Sequence, residues 1–184
     1  ICKPIFSIET MLKRYSLDTF NRVKEFNLLR KPALFSVISG DSRNVDILSE
    51  IKRKNGSLYN IISGKLIDGI FSSPPYVGQI DYHEQHAYAY DLFGFNRNDQ
   101  LEIGPLSKGQ NQIAKEEYVE GISSVLINCK NYLKKDFNIF LVANDKFNLY
   151  PVIAQKSGLK IVNNYKRPVL NRTERDRNPY SEII

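Results

Sequence analysis

The order of hydrophobic and polar residues along the 184-residue chain predicts helices that alternate with short strands. Helices are predicted where apolar residues recur every three or four positions, over 8–29, 44–53, 82–93, 115–133 and 148–157. Strands are predicted where short apolar runs occur, over 34–38, 67–72, 137–143 and 159–162. The Asn-Gly-Ser sequence at 55–57 is typical of a turn.

Strands that alternate with helices are typical of a parallel sheet with helices on both faces. We therefore expect an α/β fold that is mostly parallel. Its antiparallel closing strand would form where Val169, or the stretch near Pro179, pairs with residues 159–162. We interpret residues 1–33 as an N-terminal helical segment and 34–184 as the main domain. Residues 96–114 are polar and rich in Asn and Gln, which predicts a long, mobile surface loop.

Composition and charge narrow the class of protein. With 42% hydrophobic and 25% charged residues, the chain is a globular domain rather than a disordered one. Because it has no secretory leader and no apolar run of roughly 20 residues, we expect no membrane segment and a cytoplasmic location. Two cysteines, Cys2 and Cys129, indicate reduced thiols. The net charge of +6 favours a polyanionic partner such as nucleic acid.

The strongest candidate for chemistry is Ser73-Pro74-Pro75-Tyr76, which follows the predicted strand 67–72. Two consecutive prolines restrict two φ angles and make a stiff loop whose carbonyls are free to accept hydrogen bonds. The ring of Tyr76 can stack on a flat base. The Ser73 hydroxyl and the Pro74 carbonyl can accept hydrogen bonds from an exocyclic amine, which favours attack by the nitrogen on a methyl sulfonium. These residues therefore suit the binding of a base that carries an amine.

The sequence resembles the amino-group DNA methyltransferases, which carry Ser-Pro-Pro-Tyr or a related motif after an apolar strand. The resemblance covers roughly residues 34–184. It includes Gly40-Asp41-Ser42-Arg43, Asp81-Tyr82 and the closing segment from Arg172 to Tyr180. It implies a Rossmann-like sheet and methyl transfer from S-adenosylmethionine to a flipped DNA base, in a restriction–modification system. The Ser form of the motif favours N4 of cytosine, and adenine stays open as a target.

The resemblance also implies roles for individual residues. Ser73, Pro74, Pro75 and Tyr76 would be catalytic; Asp41, Ser42 and Ser72 would contact the cofactor; and Asp81, Tyr82, His83, Arg172, Arg175 and Arg177 would contact DNA. The family's Gly-rich cofactor turn has no counterpart, because no Gly-x-Gly occurs among the ten glycines. We therefore expect that turn, and the N-terminal part of the sheet, on a preceding segment or a second chain. Accordingly, we expect weak or no cofactor binding by this chain alone.

Simpler explanations exist for several of these residues. Asp41 is equally suited to an Asx turn or a helix cap. His83 and His86 share a helix face but have no third ligand, so cleft lining or DNA contact is favoured over a zinc site. Cys129 lies on the apolar face of helix 115–133 and is expected in the core. A solvated turn is slightly favoured over phosphate contact for each residue of the charged run from Arg172 to Arg177. The polar loop 96–114 could contact bases or phosphates, but ordinary surface is favoured.

Two other functions stay open. The same loop could act on an amine of RNA. Alternatively, the chain could be a non-catalytic DNA-binding subunit, or part of a split methyltransferase, that lacks the cofactor turn.

Overall fold

A computed structural model of the chain describes residues 7–64, 66–168 and 181–183, and it divides into two compact units, Ile1–Phe35 and Ser36–Ile184. The first unit contains α1, Ile8–Leu29, with the predicted bounds. The Ser7 hydroxyl caps it by accepting a hydrogen bond from the Thr10 amide at 3.5 Å. No residue of α1 is buried. Its periodic apolar residues therefore specify the helix without forming a core.

The second unit contains the remaining described elements. Its helices are α2 Ile47–Lys54, α3 Gly56–Ile62, α4 Tyr82–Gln85, α5 Ala87–Phe93, α6 Gln112–Lys130 and α7 Tyr150–Lys156. Its strands are β1 Ile67–Ser72, β2 Leu133–Leu141, β3 Lys166–Pro168 and β4 Ser181–Ile183. β1 and β2 pair in parallel, and β3 and β4 pair antiparallel. The described part of the chain is thus α/β, with two strands in its parallel sheet.

The core of this unit lies against one face of α6. Its buried members are Val77, Tyr118, Ile122, Leu126 and Ile153. Partly buried apolar residues of β1, β2 and α7 surround them. The amphipathic pattern predicted for 115–133 is confirmed, because the helix buries the face that carries Tyr118, Ile122 and Leu126. This packing fixes α6 next to the end of the parallel sheet.

Two predicted strands are wrong. Residues 34–38 form no strand, and Leu34, Phe35 and Val37 are 54%, 77% and 73% exposed. The Val37 carbonyl accepts a hydrogen bond from Lys54 Nζ at 2.8 Å. Residues 159–162 likewise form no strand, although they follow α7 as predicted. A short apolar run becomes a strand only where a neighbouring strand completes its hydrogen bonds. Neither of these two runs is paired with a strand of the described part of the chain.

Smaller differences concern turns and element ends. Asn55 caps α3 through its side chain, so the turn predicted at 55–57 is the start of a helix. The helix predicted over 82–93 is broken at His86 into α4 and α5, and it ends at Gly94 as expected. The antiparallel closing pair exists, but it joins 166–168 to 181–183. Val169 and Pro179 lie outside the described residues, and the complete Rossmann-like sheet stays a prediction.

None of the helices in the described ranges combines the length and the apolar character needed to cross a membrane.

Candidate functional site

The Ser73–Tyr76 loop leaves the carboxyl end of β1, where parallel sheets of α/β proteins bind their ligands. Pairing with the neighbouring chain continues to the last strand residue, because the Val142 amide donates to the Ser72 carbonyl at 2.9 Å. Ser73 is exposed, and its hydroxyl has no partner among the described residues. Burial then increases along the loop, through half-buried Tyr76 to Val77, which is 6% exposed. The loop is therefore open at Ser73 and anchored at Val77.

Two tyrosines, buried Tyr118 and partly buried Tyr150, hold the centre of this loop. Tyr118 of α6 is 2% exposed, and its hydroxyl donates to the Pro75 carbonyl at 2.8 Å. The hydroxyls of Tyr118 and Tyr150 are 3.0 Å apart. A carbonyl can only accept, so the single Tyr118 proton is directed to Pro75 and Tyr150 must donate to Tyr118. The hydrogen bonds therefore run in one direction, from Tyr150 through Tyr118 to Pro75.

Both phenols remain protonated donors at neutral pH. Burial raises the pKa of Tyr118 to about 12. Burial also raises the pKa of Tyr150, and the neighbouring Tyr118 hydroxyl, to which it donates, raises it further. Desolvation disfavours the phenolate because the charged form loses its hydration. The contact to Pro75 is therefore a stable neutral hydrogen bond.

A second segment fastens the residues that follow the loop. The Gly78 amide donates to the Gly104 carbonyl at 2.9 Å, and the Leu106 amide donates to the Ile80 carbonyl at 3.1 Å. The Gln110 side-chain amide donates to the Val77 carbonyl at 3.3 Å. This segment belongs to the polar stretch 96–114, which contains two short 3-10 helices, Asp99–Leu101 and Leu106–Lys108. Its predicted mobility stays a prediction, but part of it is hydrogen-bonded to residues 77–80.

Two glycines allow these segments to approach. Gly78 and Gly104 have φ angles of +63° and +67°, in the left-handed region that disfavours other residues. A Cβ on Gly78 would lie 2.3 Å from the Gly109 carbonyl oxygen. A Cβ on Gly104 would lie 2.7 Å from the Tyr118 ring. Glycine is therefore required at both positions by conformation and by space.

Asp145, which follows the carboxyl end of β2, supports the Tyr118–Tyr150 pair. One carboxylate oxygen accepts from the Leu149 amide at 2.6 Å, and the other accepts from the Tyr150 amide at 3.2 Å. These bonds satisfy two backbone amides at the start of α7, whose N-cap residue is Leu149, and fix the backbone of Tyr150. Tyr118, Tyr150 and Asp145 were not identified from the sequence. The available signal was a tyrosine on the apolar face of α6, because a buried hydroxyl needs a partner.

Asp41 lies in an Asx turn, as the simpler explanation predicted. Its Oδ1 accepts from the Arg43 amide at 3.0 Å, and Arg43 Nε and Nη2 donate to the carboxylate at 2.7–3.0 Å. The Arg43 side chain lowers the pKa of Asp41, so the carboxylate is ionised. Three N–H donors of Arg43 make four contacts with a group that has about four acceptor positions. A cofactor contact at Asp41 would require Arg43 to move.

Helix α6 holds the Asp41 loop as well as the proline loop. The Asn128 side-chain amide donates to the carbonyls of Ser42 and Val45 at 3.1 and 3.0 Å. Ser42 itself is exposed, and Ser72 is half-buried. Asn128 and Tyr118 are ten positions apart, which corresponds to roughly 15 Å along a helix axis. The two loops that carry the predicted cofactor and base contacts are thus attached to the same helix.

The structure describes three of the six predicted DNA contacts. The Asp81 carboxylate accepts from the Ser107 amide at 3.1 Å, and the Tyr82 amide donates to Glu102 Oε1 at 2.7 Å. His83 Nδ1 is hydrogen-bonded to the Tyr90 hydroxyl. The side chains of Asp81 and His83 therefore have structural roles, whereas Tyr82 is bonded through its backbone amide and is 39% exposed. The other three, Arg172, Arg175 and Arg177, lie outside the described residues.

The metal and nucleophile alternatives find no support in the described part of the chain. No group of three His, Cys, Asp or Glu residues there is placed to hold a metal ion. Cys129 is half-buried, and burial raises its thiol pKa, which disfavours the reactive thiolate. Cys2 lies outside the described residues.

Comparison with known proteins gives one informative match. Over all 184 residues, the chain is 57% identical to the Type II methyltransferase M.MjaII of Methanocaldococcus jannaschii. The chain spans 34% of that protein's length. No family model matches the chain, and no solved structure matches it. The chain is therefore homologous to about a third of a type II methyltransferase.

Proposed function

We propose, from this homology, that the chain is the base-binding part of a DNA amino-methyltransferase, and that Ser73–Tyr76 holds the target amine. The observation that carries the proposal is the position of this loop. The loop lies at the carboxyl end of a parallel strand, and its first residue, Ser73, is exposed to solvent. The buried Tyr118 holds it through a hydrogen bond to the Pro75 carbonyl. A restriction–modification role follows from the type II name of the relative.

The chemistry proposed for the loop needs acceptors and a flat surface. The Ser73 hydroxyl and the Pro74 carbonyl would accept the two N–H groups of an exocyclic amine, and the Tyr76 ring would stack on the base. These bonds direct the nitrogen lone pair out of the base plane, towards the incoming methyl group. As the new N–C bond forms, the sulfur–methyl bond of the sulfonium donor would break and leave a neutral thioether, and the amine would release one proton to solvent at the exposed Ser73. In duplex DNA the base must first leave the stack, at a cost of a few kcal/mol.

S-adenosylmethionine is the proposed methyl donor, and it would supply an electrophilic methyl group on a sulfonium. The residues of this chain do not fit a complete site for it. Asp41 is occupied by Arg43, and no Gly-x-Gly turn is present. We therefore assign to Asp41, Ser42 and Ser72 at most one side of that site. A further segment or a second chain would supply the rest.

Cytosine N4 is the proposed target, because the motif begins with Ser. The experiment is transfer of labelled methyl groups to DNA by the protein as its gene encodes it, followed by chromatography of the nucleosides. Tyr76→Ala should lose most of the transfer, since base–aromatic stacking contributes about 1–3 kcal/mol. Tyr15→Ala is the matched control, because Tyr15 is a 61% exposed tyrosine of α1. Equal activity of both variants would contradict the role of Tyr76.

A non-catalytic DNA-binding subunit is the second candidate, favoured by the occupied Asp41 and the missing Gly-rich turn. Titration calorimetry with S-adenosylmethionine separates the two. Binding by the protein as encoded supports the enzyme. DNA binding without methyl transfer under any condition, and without cofactor binding, supports the subunit. Methyl transfer to RNA alone would support the RNA enzyme instead.

A further inference from the structure

The hydrogen bonds from Tyr150 through Tyr118 to Pro75 connect the core to the proposed amine-binding loop. We propose that Tyr118 and Tyr150 are positioning residues for methyl transfer, which fix the peptide plane between Pro75 and Tyr76 and so the point from which the Tyr76 side chain departs. This inference depends on the proposed function of the loop. It adds two residues, 42 and 74 positions beyond Tyr76 in the sequence, that act through the Pro75 carbonyl.

The loop needs such support because its prolines have no N–H. Pro74 and Pro75 cannot donate backbone hydrogen bonds, so the loop can be held there only through its carbonyls. Among the described residues, the hydrogen bond to the Pro75 carbonyl comes from Tyr118. The Tyr76 carbonyl accepts from the Gln79 amide at 3.3 Å within the same turn, and the bonds to the 104–110 segment follow at Val77 and Gly78. Tyr118 is therefore the contact that holds the loop on the proline side of Tyr76.

Peptide geometry converts this contact into a constraint on Tyr76. The proline ring fixes φ of Pro75, so ψ of Pro75 is the one soft torsion between that ring and the next peptide plane. The Pro75 oxygen and the Tyr76 Cα lie in that plane. A hydrogen bond that fixes the direction of the oxygen therefore fixes the position from which the Tyr76 side chain departs.

Burial makes the contact hard to replace. Tyr118 is 2% exposed, so loss of its hydroxyl would leave the half-buried Pro75 carbonyl and Tyr150 hydroxyl without this partner. Tyr150 is fixed in turn by Asp145 through its backbone amide at 3.2 Å. Tyr150→Phe would leave the Tyr118–Pro75 bond in place but remove the donor that orients it. We therefore expect a smaller effect from Tyr150→Phe than from Tyr118→Phe.

The test compares kcat and KM for Tyr118→Phe, Tyr150→Phe and the control Tyr132→Phe, each in the protein as its gene encodes it. The Tyr132 hydroxyl also makes two hydrogen bonds, to the Ile47 amide at 3.2 Å and Asp46 at 3.4 Å. We expect kcat about ten-fold lower for Tyr118→Phe, the size of one hydrogen bond, with KM for S-adenosylmethionine unchanged. Tyr150→Phe should lower kcat about three-fold, and Tyr132→Phe should leave it unchanged.

Rescue separates positioning from general stability. Incorporation of 4-aminophenylalanine at position 118 restores an N–H donor and should recover most of kcat. Unchanged kcat in Tyr118→Phe would overturn the proposal, as would an equal loss in Tyr132→Phe or a failure of this rescue. If Tyr118→Phe does not fold, Tyr150→Phe and the rescued protein decide the question by the same criteria.

Infrared spectroscopy separates failure of this proposal from failure of the proposed function. With proline labelled by carbonyl 13C, Tyr118→Phe should shift one proline carbonyl band to higher frequency, and Tyr132→Phe should not. If the wild type transfers methyl groups but Tyr118→Phe does not shift the proline carbonyl band, the positioning role alone is overturned. A wild type that transfers no methyl group would overturn the proposed function and positioning for methyl transfer together. The infrared shift would then still show whether Tyr118 holds Pro75.

Discussion

Gly78→Ala should destabilise the protein because Gly78 lies where two backbone segments meet beside the proposed site. Its φ is +63°, and a Cβ there would lie 2.3 Å from the Gly109 carbonyl oxygen and 2.6 Å from Gln110 Cγ. The Gln110 side chain can move, but the Gly109 carbonyl belongs to the backbone. The methyl group must therefore push apart the segments that contain residues 77–78 and 104–110.

The expected cost has three parts. A non-glycine residue in the left-handed region costs about 1–2 kcal/mol. Separation of the segments breaks the 2.9 Å bond between the Gly78 amide and the Gly104 carbonyl, which costs about 1 kcal/mol. Overpacking adds about 1–3 kcal/mol. The free energy of unfolding should therefore fall by about 3–6 kcal/mol in total.

Gly94→Ala is the matched control. Its φ is +64°, but a Cβ there would meet nothing within 4 Å, so only the conformational cost of about 1–2 kcal/mol applies. Urea unfolding of both variants measures the difference, which should be at least about 2 kcal/mol, or roughly 1 M in the midpoint. Equal losses in the two variants would refute the close approach of residues 78 and 109.

Three further predictions concern stability. Ser123→Ala should raise the free energy of unfolding, measured in urea, by about 1 kcal/mol, because the fully buried Ser123 hydroxyl has no hydrogen-bond partner among the described residues; a lower free energy would contradict this. Asp145→Ala should lower that free energy by about 1–2 kcal/mol, the cost of losing two hydrogen bonds from backbone amides, and an unchanged midpoint would contradict this role. Asp41→Asn should remove part of the loss of folding stability that the wild type shows in acid. The lowered Asp41 pKa stabilises the fold above the ordinary value of 3.8, and this stabilisation disappears as pH falls through the folded-state pKa. The difference in stability between wild type and Asp41→Asn should shrink in acid, and a constant difference in unfolding curves across pH would count against it.

The elements with long or regular patterns were predictable from the sequence. α1, α6, β1 and β2 lie where periodicity or an apolar run placed them, because each pattern extends over enough residues to exclude the alternatives. The run 34–38 is as apolar as a strand but is mostly exposed, and five residues do not encode whether a partner strand exists. Asn55-Gly56 is typical of a turn, yet Asn is also a preferred helix cap, and the structure has the cap.

The proposed site was predictable only in part. Local sequence identified the Ser73–Tyr76 loop and its place after a strand, because prolines after an apolar run constrain the backbone directly. The contact that holds it joins Tyr118 to Pro75 across 43 residues, and no local pattern encodes such a distance. Asp41 had two explanations of equal weight. The structure contains the Asx turn, which depends on the neighbouring Arg43.

The most direct test of the central claim is the identity of the methylated nucleoside. DNA incubated with labelled S-adenosylmethionine and the protein as its gene encodes it would be digested and analysed by mass spectrometry. If Ser73–Tyr76 binds the exocyclic amine of the target base, the label must be on an exocyclic nitrogen. The product that we predict is N4-methyldeoxycytidine. Detection of N6-methyldeoxyadenosine would agree with the proposed amine-binding role of the loop but would change the proposed target base from cytosine to adenine. A methyl group on a ring carbon, or no labelled nucleoside at all, would contradict the account.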